Sequence, residues 1–267
     1  MPAPLQPIPT NTATAPPDTG PPGRRLSTRL VLSVLVAVPA CVVFGLLAVA
    51  VESEWNPFRS LDQRVASALH AQVVPHPAWV HVLTAVTNAG GPTTFRVLVG
   101  LLAVGLWIRG ARRLALWAVA TMAAGALLDT VLKSAVGRAR PQLPNPVATA
   151  PGGSFPSGHA LTATLGCGVI VLVLLPVLGK RGRVAAWVLG GLVVGAISYT
   201  RVALGVHWVT DVVGGWILGV GLLAATTSAF GTWRREHGRR PVHPMTEGVA
   251  PEESVEAMPG EHDAAAG

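Results

Sequence analysis

Residues 156–178 read PSGHALTATLGCGVIVLVLLPVL, a polar tetrapeptide followed at once by a long apolar run. The run from Ala160 to Leu178 carries no charged side chain and has close to the ~20 residues that a helix needs to cross a bilayer. Five further apolar runs flank it: Leu30–Val51, Thr93–Ile108, Leu114–Leu132, Val184–Tyr199 and Val209–Phe230. The sequence therefore predicts an all-α fold, a bundle of six transmembrane helices.

The composition excludes an ordinary soluble protein. Half of the residues are hydrophobic and only 12% are charged, whereas soluble domains have about 25% charged residues. The formal net charge of +7 does not indicate nucleic-acid binding, because the basic residues form short clusters between the apolar runs. Cys41 and Cys167 lie inside apolar runs and are expected to be free thiols, and no Cys/His cluster has zinc-site spacing. The lipid bilayer is thus the first expected partner.

Both ends of the chain differ from its middle. Residues 1–25 are predicted to be a disordered cytoplasmic tail, since the first 23 residues hold eight prolines and one charged side chain. Residues 232–267 lack apolar periodicity and are predicted to be a second disordered tail, which leaves residues 26–231 as the membrane domain. The first apolar run exceeds the about 7–15 residues of a signal-peptide core, so it is expected to remain as an anchor.

The longest connection between apolar runs covers residues 52–90. Within it, apolar residues recur every four positions, at Leu61, Val65, Leu69 and Val73. This spacing predicts a short amphipathic helix at the membrane interface. At the end of the connection, Gly90-Gly91-Pro92 predicts a sharp turn into a rather short second span.

The orientation follows from the positive-inside rule. Basic residues cluster before the first run, between the second and third, between the fourth and fifth, and after the sixth: Arg24, Arg25, Arg29; Arg109, Arg112, Arg113; Lys180, Arg181, Arg183; Arg234, Arg235, Arg239, Arg240. All four clusters fall on one side of a six-span chain, so both termini are expected in the cytoplasm. Connections 52–92, 133–159 and 200–208 are then expected outside.

Three polar motifs lie at the outer ends of the predicted helices. In the first, Lys133 precedes Arg140-Pro141 by seven positions, which is two helical turns, so both cations share one face if the helix persists. In the second, Pro156-Ser157-Gly158-His159 places free backbone N–H groups and a positive helix dipole ahead of the fourth run, which forms an anion site. In the alternative, purely structural interpretation, Lys133 and Arg140 mark the membrane boundary and Ser157 is an N-cap residue.

The third motif runs from Thr200-Arg201 to His207 and Asp211. His207 and Asp211 are separated by four positions and lie one above the other if the sixth helix begins near His207. A carboxylate there fixes the imidazole tautomer and leaves the other ring nitrogen free as a nucleophile. The alternative is a structural or capping pair.

Together these segments resemble the three-part signature of the type 2 phosphatidic acid phosphatase and vanadium haloperoxidase superfamily. The matching positions are Lys133, Arg140, Pro141, Pro156, Ser157, Gly158, His159, Arg201, His207 and Asp211. The one departure is Thr200, where the family usually has Ser. The signature spans residues 133–211, and the six-helix plan extends the resemblance to about residues 30–230.

The resemblance implies a role for each motif residue. His207 would be the nucleophile, Asp211 its orienting carboxylate and His159 the general acid. The phosphate oxygens would be held by Lys133, Arg140, Arg201, Ser157 and the Gly158 amide. Three cations and a helix N-terminus provide positive charge for phosphoryl transfer, so neither a metal nor another cofactor is expected.

The expected function is a multi-pass cell-membrane lipid phosphatase with its active site on the extracytoplasmic face. The substrate class stays open between phosphomonoesters, such as phosphatidate or phosphatidylglycerophosphate, and a diphosphate such as undecaprenyl diphosphate. The oligomeric state is also open. A soluble haloperoxidase is disfavoured by the six apolar spans, and the remaining alternative is a non-catalytic lipid-binding or transport protein with the same fold.

Overall fold

The computed structural model describes residues 38–239, 243–249 and 251–253, and in these parts all regular structure is helical. The helices are α1 (Val38–Glu52), α2 (Asn56–Val73), α3 (Pro77–Ala89), α4 (Pro92–Ile108), α5 (Arg112–Val136), α6 (Gly158–Leu174), α7 (Lys180–Ala203), α8 (Val209–Glu236) and α9 (Pro244–Glu247). A 3₁₀ turn, Leu175–Val177, follows α6. The all-α prediction is confirmed.

Five helical segments of the described chain are long and apolar enough to cross a membrane: Pro77–Ile108, Arg112–Val136, Gly158–Val177, Lys180–Ala203 and Val209–Arg234. A sixth is counted if α1 and α2, which meet at an angle of 81°, form one broken span. The start of the first predicted run, Leu30, lies outside the described residues. The protein is thus a multi-span membrane protein with five or six candidate spans.

The second span differs from its prediction. Helices α3 and α4 are separated by Gly90 and Gly91 alone and together form an apolar segment of 32 residues. The expectation of a sharp turn and a short span was therefore wrong, because the two glycines only interrupt the helix briefly. The predicted amphipathic helix is present as α2. Of the predicted apolar residues Val73 is buried, and Val65 and Leu69 are partly buried; the other buried residues of α2 are Asp62, Ala66 and His70.

Helix α6 is the centre of the bundle and packs against α4, α5, α7 and α8. Its approach to α8 is close because α8 presents glycines to it. A Cβ on Gly215 would lie 2.8 Å from the Ser157 carbonyl oxygen, and one on Gly219 would lie 2.9 Å from Thr164. Small residues four positions apart allow membrane helices to approach closely. This packing fixes the start of α8 beside the start of α6.

Two of the basic clusters meet at one end of the bundle. Arg109, Arg112, Arg113 and Arg239 line a cavity of about 250 Å³ together with Glu253. Lys180, in a third cluster, begins α7 at the end where α6 finishes. The three motifs lie at the opposite ends of the same helices. This arrangement agrees with the grouping of the basic clusters on one side of the membrane.

The terminal regions are described only in part. Residues 1–25, predicted to be a disordered tail, lie outside the described residues, as does most of the acidic end of the chain. Helix α8 continues to Glu236, past the predicted end at Phe230, and the short α9 packs near the turn Leu175–Val177.

The orientation makes a testable prediction. In a background with Cys41 and Cys167 replaced by Ala, we expect Thr149→Cys, an exposed position in the 142–152 loop, to react with an impermeant thiol reagent in intact cells. Gly179→Cys, where a Cβ meets no atom within 4 Å, is expected to react only after permeabilisation. The opposite labelling would overturn the orientation.

Candidate active site

Four elements converge at one end of the bundle: the end of α5 with the loop after it, the start of α6, the end of α7, and the start of α8. The two outer helices α2 and α3 pack against α7 at this end, and α2 also contacts α8. Every residue predicted for the site lies on these elements. The structure therefore brings the three sequence motifs together.

The His207–Asp211 pair is formed as its spacing predicts. The Nδ1 of His207 lies 3.3 Å from the Oδ2 of Asp211, and both side chains are buried. Asp211 Oδ2 also accepts the Trp208 backbone N–H at 2.8 Å. This second bond is a capping-box contact, from the third residue of α8 back to the residue before the helix. Asp211 thus caps the start of α8 and also contacts His207.

Arg140 defines the tautomer of His207. Its Nη1 lies 3.2 Å from His207 Nε2, and a guanidinium can only donate. Nε2 must therefore carry the lone pair, and the ring proton sits on Nδ1, facing Asp211. The other four N–H groups of Arg140 donate to backbone carbonyls of Pro151, Gly152, Gly153 and Val206. Among its five donors, only the one on His207 points at a side chain.

Burial lowers the pKa of His207 below its ordinary value of 6.5. The hydrogen bond to Asp211 and its charge oppose this effect, while Arg201 and Arg140 reinforce it. The pKa of Arg140 is also lowered, again by burial first, with Asp211 and Asp129 acting in the opposite direction. At neutral pH, His207 is consequently neutral with a lone pair on Nε2, which is the form a nucleophile requires.

The start of α6 carries the second motif. The Ser157 N–H donates to the Asp211 carbonyl at 2.9 Å, which ties this helix start to α8. The Ser157 side chain is fully buried, and its Oγ has no hydrogen-bond partner among the described residues. A buried donor without a partner costs about 1–3 kcal/mol, so this hydroxyl favours a bound acceptor.

Lys133 reaches the same helix start. Its Nζ lies 2.7 Å from Asp129 Oδ2, one helical turn earlier in α5. A Cβ on Gly158 would lie 2.8 Å from that Nζ and 2.7 Å from the Asp129 oxygen. Position 158 is glycine because the ion pair rests directly against its Cα. The lysine ammonium is thereby placed next to the N-terminal amides of α6.

The link between Lys133 and Arg140 differs from the two-turn helix considered above. Helix α5 ends at Val136, and Gly137 adopts a left-handed conformation with φ of 58°. Arg140 therefore lies in an extended loop and reaches the site by folding back across residues 151–153. A glycine just after a helix is a common stop signal, and it identifies this boundary.

Arg201 and Thr200 lie near the end of α7 and make separate contacts. Arg201 is 7% exposed and donates from Nη1 to Thr87 on α3 at 3.0 Å, while its Nε has no partner among the described residues. The Thr200 hydroxyl donates to the Ile197 carbonyl of its own helix at 2.6 Å. The hydroxyl at this position is thus used in a hydrogen bond within α7.

His159 occupies the first turn of α6. It lies close enough to Arg201, His207 and Lys133 for their charges to act on its ring. Its Nε2 is 3.8 Å from the position of a Cβ on Gly91, at the start of α4. The second histidine therefore lies among the same cations as the first.

Several residues in contact with the site lie outside the predicted set. Arg138 donates to Asp211 Oδ1 at 2.5 Å and to Asp62 Oδ2 at 2.7 Å. Asp129 and Thr87 pair with Lys133 and Arg201 as described above. The sequence offers no local signal for contacts between residues so far apart in the chain. The exception is Asp129, which lies four positions before Lys133 and carries a charge within a membrane span.

Comparison with known proteins decides the family. The model of the PAP2 superfamily matches residues 114–235, which include all three motifs. Phosphatidylglycerophosphatase B of Bacillus subtilis (strain 168) is 31% identical over 180 residues, covering 66% of this chain and 86% of that protein.

The chain belongs to the PAP2 superfamily. An undecaprenyl-diphosphatase of Sulfolobus acidocaldarius is 39% identical over 66 residues, which is 25% of this chain and 28% of that protein. The crystal structure of a transmembrane PAP2-type phosphatidylglycerolphosphate phosphatase from Bacillus subtilis superposes with a TM-score of 0.65 at 27% identity, covering 78% of this chain and 98% of that one. This PAP2 chain is accordingly a membrane-bound phosphoric ester hydrolase.

Among the described residues, no group of three or more His, Cys, Asp or Glu side chains has the geometry to hold a metal ion. The charged groups around the two histidines are mainly cations, and their carboxylate neighbours Asp129 and Asp211 are each already paired with one.

The contact at Gly158 yields a prediction. Gly158→Ala is expected to displace the flexible ends of Lys133 and Asp129 while leaving the backbone in place, since both contacting atoms are side-chain termini. Phosphatase kcat/KM should fall by on the order of 100-fold, as expected for a displaced catalytic group, with little change in Tm. Gly191→Ala on α7, where a Cβ meets nothing within 4 Å, is the matched control. Equal activity of the two variants would contradict this role for Lys133.

Proposed function

We propose that the protein removes phosphate from a membrane lipid through a phosphohistidine formed at His207 Nε2, without a metal ion. The observation that supports this most is the contact of Arg140 with His207, which leaves a lone pair on Nε2 while Nδ1 faces Asp211. A neutral imidazole with a defined tautomer is poised for attack on phosphorus.

In the first step, His207 Nε2 attacks phosphorus and forms the N–P bond as the P–O bond to the lipid breaks. The Arg140 N–H that caps Nε2 turns to a phosphoryl oxygen at this point, so the nucleophile is freed only when an anion is present to take the donor. His159 gives its proton to the departing oxygen, because an alkoxide is a poor leaving group. Asp211 stabilises the charge that the imidazole acquires.

In the second step, water attacks the phosphohistidine. His159, now neutral, takes a proton from that water, the N–P bond breaks, and inorganic phosphate leaves. His207 regains the lone pair on Nε2 and Arg140 returns to it. One water is consumed for each lipid alcohol and phosphate released, and every side chain ends in its starting state.

The phosphate oxygens would be held by two buried donors without partners and by the cations beside them. Ser157 Oγ and Arg201 Nε are buried donors without partners among the described residues, and Lys133 lies against the N-terminal amides of α6. A phosphoryl group in transfer spreads negative charge over three equatorial oxygens, so these donors and three cations stabilise its transition state.

The substrate is proposed to be an amphiphile whose phosphate lies at the outer membrane interface. A phosphatidylglycerophosphate-type monoester is the first choice, because the relative with that activity in its name is matched over 86% of its length. A polyprenyl diphosphate is the second, on the shorter match to the undecaprenyl-diphosphatase. Phosphate release from a panel of both classes in detergent will rank them.

The nucleophile assignment predicts the behaviour of two variants. His207→Ala should lower kcat by on the order of 10³-fold or more, because no phosphoenzyme forms. Asp211→Asn should keep residual turnover through a poorly oriented imidazole. His81→Ala, an exposed histidine on α3, is the control and should match the wild type. Wild-type rates in His207→Ala would refute the assignment.

The proposed charge arrangement also predicts the response to chelators and vanadate. Activity should survive EDTA, because the cations of the site supply the charge that magnesium supplies elsewhere. Vanadate adopts the five-coordinate geometry of phosphoryl transfer, so it should inhibit competitively and bind at least ~100-fold more tightly than phosphate. Loss of activity in EDTA, recovery with magnesium and indifference to vanadate would together exclude this mechanism.

A further inference from the structure

Asp62 on α2 is a buried carboxylate that none of the three motifs includes. Its side chain is 1% exposed. It accepts the Thr210 backbone N–H at 2.9 Å and the Thr210 hydroxyl at 2.6 Å. Its third contact is the ion pair with Arg138 at 2.7 Å.

Arg138 joins this carboxylate to the histidine pair. Through separate nitrogens it binds Asp62 Oδ2 and Asp211 Oδ1, and its Nη1 also donates to the Thr210 hydroxyl at 2.7 Å. Asp211 is fully buried and uses its other oxygen for His207 and Trp208. A continuous chain of polar contacts thus runs from Asp62 through Arg138 and Asp211 to Nδ1 of His207.

The net charge of Asp62, Arg138 and Asp211 together bears on the proposed reaction. Two carboxylates and one guanidinium leave a net charge of −1 in a site of low dielectric, where pairing is needed to offset desolvation. The proposed reaction places a positive charge on the His207 imidazolium when Nε2 is bonded to phosphorus. The extra negative charge balances that cation. Without Asp62, Arg138 would neutralise Asp211 and the balance would be lost.

We infer that Asp62 and Arg138 are positioning residues for the phosphohistidine step, with Asp62 sharing Arg138 so that Asp211 keeps its negative charge for His207. This inference rests on the proposed function. The second carboxylate comes from α2, so the outer helix takes part in the reaction centre through Arg138 and does not merely cover it.

The simpler role for Asp62 is a cap on α8. It accepts an N–H from the first turn of that helix, and a carboxylate at a helix N-terminus stabilises it. A cap alone changes stability but does not tune the basicity of His207. The two roles therefore differ in the pH dependence of turnover.

Other charged groups also face His207. Arg140 lies on the loop after α5 and Arg201 on α7, both lowering its pKa, while His159 on α6 lies nearby, beside Lys133 of α5. These groups remain unchanged in variants of Asp62 and Arg138. Differences between the variants on the acid side of the pH–activity profile are then due to the contacts among Asp62, Arg138 and Asp211.

The test compares pH profiles of kcat/KM for phosphate release. In the wild type, the acid limb of the profile should lie below about pH 6.5, because burial lowers the His207 pKa and the ring must be neutral to attack. Asp62→Asn should move this acid limb lower by about one unit, since removing a nearby negative charge disfavours the imidazolium. Arg138→Gln should move it higher. For Asp62→Asn, kcat should fall about tenfold with little change in KM.

Glu54→Gln is the matched control, because Glu54 also pairs with an arginine near the start of α2 but is exposed. If Asp62→Asn does not fold, Arg138→Lys keeps the charge with a single point donor, and should lower kcat without moving the limb. Acid limbs of Asp62→Asn and Arg138→Gln that coincide with that of Glu54→Gln, or that shift in the same direction, would overturn the inference.

An NMR titration distinguishes a wrong positioning role for Asp62 from a wrong assignment of the nucleophile. The ¹⁵N signals of the His207 ring, titrated in detergent without substrate, report its pKa independently of turnover. If His207→Ala is inactive but Asp62→Asn leaves those signals unmoved, the nucleophile assignment stands and the positioning role is wrong. A shift of the signals to lower pH supports the role.

Discussion

The rest of the site depends on the hydrogen bonds and ion pairs at the start of α8. Its free N–H groups are taken by two buried carboxylates, Asp211 within the helix and Asp62 from α2, with Arg138 between them. Three charged groups cannot be buried singly, because each costs several kcal/mol to desolvate, so they must be buried together. That requirement brings α2, the loop after α5 and α8 to one point.

Backbone hydrogen bonds from this region also fix the positions of the neighbouring helices. The Asp211 carbonyl accepts the Ser157 N–H, which fixes the start of α6, and the Arg201 carbonyl accepts the His207 N–H, which fixes the end of α7. Glycines at 158, 215 and 219 permit the close approaches that these bonds need. A cluster of cations is thereby held around two histidines with little freedom to rearrange, as electrostatic preorganisation requires.

Local signals in the sequence predicted much of this arrangement. The apolar runs gave the spans, the four-residue spacing predicted the contact between His207 and Asp211, and the polar tetrapeptide predicted the start of α6. These signals are local because each depends on one helix or one helix end. The roles assigned to the motif residues and the membrane face of the site remain predictions.

The remaining contacts could not be predicted because they join distant parts of the chain. Asp62 and Arg138 are 76 positions apart, and Arg201 meets Thr87 across 114. Nothing near Asp62 distinguishes it from a solvent-facing charge on an amphipathic helix. That α3 and α4 form one candidate span was missed for a related reason. Two glycines and a proline normally end a helix, and the contacts of α3 with α7 and of α4 with α6 join distant parts of the chain.

The proposed mechanism depends on a covalent bond between phosphorus and His207 Nε2. It is tested most directly by acid-free quenching of the enzyme during turnover of ³²P-labelled lipid phosphate, followed by peptide mapping. Label is expected on the peptide containing His207, stable in base, lost in mild acid, and absent from His207→Ala. Label on another residue, or full turnover with no labelled enzyme at any quench time, would contradict it.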